Sequence, residues 1–99
     1  MVHRDMTQGR RVYSNVEGVL RLAPGDYGRD QDGIWHAKPP QMEGQHPLSG
    51  SLAGHDVVEH EDGTITVMPS IEISYPWGDP PQEKRWHGHL ERGIWRLAQ

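Results

Sequence analysis

The chain has 99 residues, no cysteine and a formal net charge of −4. That length holds a single domain with a thin stability margin. The missing cysteines exclude disulfides and thiolate zinc sites, and the mild acidity argues against non-specific binding to a nucleic-acid backbone. No apolar run approaches the roughly 18 residues of a membrane span. Residues 1–11 lack the apolar centre of a secretory signal, so the expected location is cytoplasmic.

Six Leu, five Ile and seven Val, with no Phe, leave little aliphatic material for a core. Four Trp and three Tyr supply the missing area, since each buried aromatic removes a large surface from water. The expected core is therefore centred on Trp35, Trp77, Trp86 and Trp95. Twelve Gly and eight Pro call for many turns. No window shows the i, i+3, i+4, i+7 apolar spacing of a helix. The predicted fold is a single mostly β domain spanning 1–99, with little or no helix.

In chain order, residues 1–54 read as an irregular half with short strands at 18–22 and 34–38. Turns fall at Pro24-Gly25-Asp26 and Asp30-Gln31-Asp32-Gly33, and 39–54 form an irregular connection. Residues 55–98 read as a four-stranded antiparallel meander. Its clearest strand is 64–75, where Ile65, Val67, Pro69, Ile71, Ile73 and Tyr75 occupy every odd position and face inward. Pro69 cannot donate to a ladder and implies an edge or a bulge. Asp62-Gly63 predicts a type I′ hairpin after 55–61, and 76–81 predicts a loop. Glu91-Arg92-Gly93 predicts a three-residue turn with a glycine bulge. That last turn would pair Leu90 with Ile94, placing Trp95 and Leu97 beside His87 and His89, with both faces of the hairpin partly apolar. Either the first half covers the second face, or that face meets a partner or a second copy of the chain.

Four groups of residues carry candidate chemistry. Asp56, Glu59, Glu61 and Asp62 form an acidic cluster about the first hairpin. It reads either as a solvated turn or as a partner-binding surface together with Trp86, Arg92 and Trp95. Arg85, Trp86, Arg92, Trp95 and Arg96 interleave cations with aromatics, a pattern that stacks single-stranded bases; the plainer reading is core tryptophan with flanking charges. Arg4, Arg10 and Arg11 form a basic N-terminal arm. His87 and His89 share one strand face and, with His60, could chelate zinc. Asp26, Asp30 and Asp32 hint at a calcium loop, but residue 28 is Gly and no bidentate acid follows at the needed spacing. No nucleophile elbow, P-loop, dinucleotide fingerprint or zinc-protease motif occurs, so no catalytic residue is assigned.

The run from His55 to Val67, HDVVEHEDGTITV, with Pro69-Ser70-Ile71, and the run from Trp86 to Arg96, WHGHLERGIWR, resemble a group of short proteins of actinobacterial phages and prophages. Gly33-Ile34-Trp35-His36-Ala37 adds looser similarity. The motif order is also similar to a broader family of unknown function that often carries a zinc-binding cysteine cluster, which this chain lacks. The resemblance implies a phage- or prophage-encoded accessory protein in an infected or lysogenic host. The resulting expectation is a cofactor-free binding protein acting on a host or phage protein, and interfering with host defence or metabolism. The alternatives are a single-stranded nucleic-acid-binding module and a zinc protein built on the His87/His89 pair.

Overall fold

Alternating hydrophobicity organises the longest strand and, through it, the fold. A computed structural model describes residues 6–40, 49–75 and 84–98. Nine strands are described: β1 (Met6–Gln8), β2 (Arg10–Val12), β3 (Asp26–Arg29), β4 (Trp35–Ala37), β5 (Gly50–Ser51), β6 (Asp56–Glu59), β7 (Ile65–Tyr75), β8 (Lys84–Glu91) and β9 (Ile94–Leu97). One sheet runs in the order β1-β9-β8-β7-β6 and the other β2-β3-β4-β5, and no helix occurs among the described residues. The fold is mostly β, as the residue pattern requires. The expected loop at 76–81, with Trp77, lies outside the described residues, as do Arg4 and the Arg85 side chain.

Along β7 the odd residues Ile65, Val67 and Ile71 are buried and Ile73 is partly buried, while Pro69 is exposed. The proline sits in a bulge: Val67 pairs with Leu90 and Ile71 with Gly88, so three residues of β7 oppose one of β8. The excess is even, so the strand regains its ladder with the same side chains facing inward. Glu72, His87 and His89 thereby stay on the outer face.

The hairpin turns exchange the expected types. His60-Glu61-Asp62-Gly63 closes with the Gly63 N–H on the His60 carbonyl at 3.0 Å and the His60 N–H on the Thr64 carbonyl at 2.8 Å, and Gly63 has φ +85°. This is a type I turn with a glycine bulge, where type I′ was expected. Conversely, Glu91 pairs with Ile94, and Arg92 (φ 47°) and Gly93 (φ 77°) form the two-residue type I′ turn. The register moves by one residue, so Leu90 faces Trp95 and Gly88 faces Leu97. Trp86, Leu90, Trp95 and Leu97 then share the inner face, and His87, His89 and Arg96 the outer, which resolves the ambiguity of that hairpin.

The N-terminal half is more ordered than its composition suggests. Residues 18–22 form no strand. They follow a turn in which Asn15 Oδ1 accepts the N–H groups of Glu17 and Val19 at 2.9 and 3.0 Å. The Asp30–Gly33 turn repeats this design, with Asp30 Oδ1 accepting from Asp32 and Ile34. β1 adds to the β9 edge, whereas β2, separated from it only by Gly9, joins β3 in parallel. A Cβ at Gly9 would lie 2.8 Å from Trp95 Nε1 and 2.9 Å from the carbonyls of Gly25 and Gly93, so only glycine lets the strand pass between the sheets here.

Both sheets feed one core of Tyr27, Ala37, Leu52, Ile65, Val67, Ile71, Trp86, Leu90 and Trp95. Trp86 and Trp95 meet edge to face with centroids 5.2 Å apart. Trp95 Nε1 donates to the Gly25 carbonyl at 2.9 Å. Gly88 makes room for the pair, since a Cβ there would stand 2.6 Å from Trp86 Cη2 and would also strike the Arg96 carbonyl. Gly88→Ala is expected to cost about 1–3 kcal/mol by overpacking. A urea titration reads this against Gly54→Ala, whose added methyl meets nothing within 4 Å. Trp95→Phe keeps most of the ring but removes the N–H, and is expected to cost about 1–2 kcal/mol in the same titration.

Candidate functional site at the paired hairpin tips

The antiparallel pairing of β7 with β8 sets the β6–β7 turn beside the β8–β9 turn. Thr66 fastens the two tips together. Its Oγ1 accepts the Arg92 N–H at 3.0 Å and lies 2.7 Å from His60 Nε2. The Gly93 N–H donates to the Ile65 carbonyl at 3.0 Å. Between the tips opens a shallow polar groove lined by Glu59, His60, Glu61, Asp62 and Arg92.

The carboxylates in the groove are individually placed. Asp62 Oδ1 accepts from the Thr64 hydroxyl at 2.6 Å and its N–H at 3.0 Å, and these bonds hold its carboxyl below the usual range. Glu59 Oε2 accepts from Arg11 Nη1 at 2.7 Å, which likewise lowers its carboxyl. The same Arg11 nitrogen donates to the Gly63 carbonyl at 2.9 Å. Its guanidinium lies over the rings of Tyr13 and Trp35, 4.4 and 4.8 Å from their centroids. Arg11 thus roots the acidic tip in the second sheet. Glu61 and Arg92 project into solvent.

The expected site residues divide clearly. Glu59, Glu61, Asp62 and Arg92 come together at the tips. Asp56 stands at the far end of β6, paired with Met68. Trp86 and Trp95 are 2% and 1% exposed, so neither can contact a partner or stack a base in this structure. Arg96 is paired with Glu91 at 3.3 Å. Arg10 of the basic arm grips the buried Asp26 at 2.9 Å, which raises its guanidinium pKa. The three histidines also separate. His60 meets Thr66, His87 Nε2 lies 2.8 Å from Ser70 Oγ, and His89 is exposed on β8. Among the described residues no group of three His, Asp or Glu is arranged to hold a metal. Asp30 accepts from His36 at 2.8 Å instead of facing a calcium loop, and that bond, with the Ile34 and Asp32 N–H groups, keeps its carboxyl low.

Sequence reasoning missed Arg11 as the partner of Glu59, since 48 residues separate them. It also missed the Asp30–His36 pair. Here a local signal existed: a turn with glycine in fourth place sets residue 30 opposite 34, and residue 36 then falls on the same face as 30. The chain matches no family model, no curated protein and no solved structure.

Three carboxyls, Asp30, Glu59 and Asp62, are thus more acidic folded than unfolded. A lowered folded pKa stabilises the fold above the unfolded value, near about 4, and that contribution is lost as pH falls through the folded value. Thermal melts should therefore shift little between pH 7 and pH 5 on account of these groups, then fall modestly below about 4, since solvent screens exposed carboxylates. The fall should be shallower in Glu59→Gln/Asp62→Asn.

Proposed function

We propose that the protein is a small accessory binding protein, encoded by a phage or prophage, that contacts a host or phage protein through its paired hairpin tips. The observation that carries this reading is the Thr66 fastening, which fixes the backbone beneath Glu59, Glu61, Asp62 and Arg92 while leaving Glu61 and Arg92 exposed. Side chains held on rigid turns lose less freedom on association, which favours binding. Three carboxylates interleaved with Arg11 and Arg92 form a mixed-charge pattern. Such a pattern suits a protein surface of complementary charge and repels a phosphate backbone at the carboxylates. The proposed consequence is interference with host defence or metabolism, in the cytoplasm of the infected or lysogenic cell. The resemblance of residues 55–96 to phage and prophage proteins supports this setting.

The test places a photo-crosslinking amino acid at position 61, or at position 17 on the Asn15–Gly18 turn, in protein expressed in the natural host. Crosslinking from 61 should yield a discrete adduct that is absent from 17. The adduct should fall about tenfold or more in Asp62→Lys/Arg92→Glu, as charge reversal at a docking surface predicts. Equal adducts from both positions, or insensitivity to charge reversal, would refute the assignment.

A further inference from the structure

A second polar centre lies on the other sheet. His36 of β4 stands directly opposite Gly28 of β3 and Ser51 of β5. Asp30 lies two residues beyond Gly28, and Ser49 two residues before Ser51. In antiparallel pairing these offsets place them on the same face as His36, on its two opposite flanks. His36 Nε2 is 2.8 Å from Asp30 Oδ2. The other carboxylate oxygen accepts the N–H groups of Asp32 and Ile34 at 2.9 and 3.0 Å, so the carboxylate is fixed through both oxygens. An ionised carboxylate only accepts, so Nε2–H is the donor and Nδ1 is left as the proton-accepting nitrogen of a neutral ring. Asp30, His36 and the exposed Ser49 line one open cleft of about 260 Å³, walled by Leu20 and Leu22. Gly28 makes the apolar wall possible, because a Cβ there would lie 2.8 Å from Leu20 Cδ1 and against the Val12 carbonyl.

We propose that Ser49 is an acylatable nucleophile, with His36 as its base and Asp30 as the residue that positions His36, and that the cleft accepts esters of short apolar acyl groups. A base held by a third group, with a serine hydroxyl lining the same cleft, supplies the three members of a serine-activating set. Ser49 Oγ bonds to the ester carbonyl carbon and its proton passes to His36 Nδ1. The ester C–O bond breaks, and the departing oxygen takes that proton and leaves as an alcohol or phenol. Water then attacks the acyl-serine, gives its proton to the same nitrogen, and the Ser49 oxygen reclaims it as the carboxylic acid departs. The two leucines match a short hydrocarbon chain. This centre is independent of the hairpin tips.

The test treats the full chain with a fluorophosphonate probe and maps the adduct by peptide mass spectrometry, then follows p-nitrophenyl butyrate hydrolysis. The expected result is one adduct, on Ser49, that is absent in Ser49→Ala and unchanged in Ser51→Ala. His36→Gln should slow labelling by about 10²–10⁴-fold, the range for loss of a general base. Asp30→Asn should lower kcat for the ester while leaving KM unchanged, which mere loosening of the cleft would not do. Circular dichroism and thermal melts confirm that each variant is folded. No adduct on Ser49, or labelling of folded His36→Gln at the wild-type rate, would overturn the proposal.

Discussion

The bond from the Trp95 indole to the Gly25 carbonyl, beneath the edge-to-face contact with Trp86, ties the two sheets together. A chain this poor in aliphatic residues cannot fill a core between sheets without its largest side chains. Burying an indole also requires a partner for its N–H. The carbonyl is supplied from 70 residues away. Gly9 and Gly88 line the passage around the two rings and Gly93 backs onto Tyr27, and in each a Cβ would meet an atom of the packed centre within 3 Å. By sequence, Trp86 and Trp95 suit either a core or a contact surface. The structure assigns them to the core, and with no room left for a second role the exposed chemistry passes to polar groups.

Those polar groups are organised by turns. Asn15–Gly18, Asp30–Gly33 and His60–Gly63 share one geometry: the first residue's carbonyl accepts from the N–H of the fourth, a glycine whose positive φ forms the bulge. At Asn15 and Asp30 the leading side chain also caps the turn. At the third turn the leading residue is His60, which bonds Thr66 instead, and capping shifts to Asp62. The same backbone device is therefore used once to aim a carboxylate at His36 and once to set carboxylates at the hairpin tips.

The hairpin tips are also rooted in the second sheet. Trp35 neighbours His36 on β4, and its ring lies beneath Arg11, which holds Glu59 and the Gly63 carbonyl. A chain of stacked and charged groups thus runs from the second sheet to the tips, with the Arg11 side chain only 11% exposed along it.

The sequence by itself determined a strand within 64–75, the inward face of Ile65, Val67, Ile71 and Ile73, an irregularity at Pro69 and the glycine turns at 30–33, 62–63 and 91–93. These depend on side-chain period and on φ > 0, which are local properties. It also marked Glu59, Glu61, Asp62 and Arg92 as exposed charge. Only the tertiary structure decided which turn is type I′, because a one-residue choice of register is settled by which face the core accepts. It alone sent β1 and β2 to different sheets across Gly9, chose core over contact surface for Trp86 and Trp95, and joined Arg11 to Glu59. Pairings across tens of residues leave no mark on local periodicity; they follow from how two sheets can share one small aromatic core.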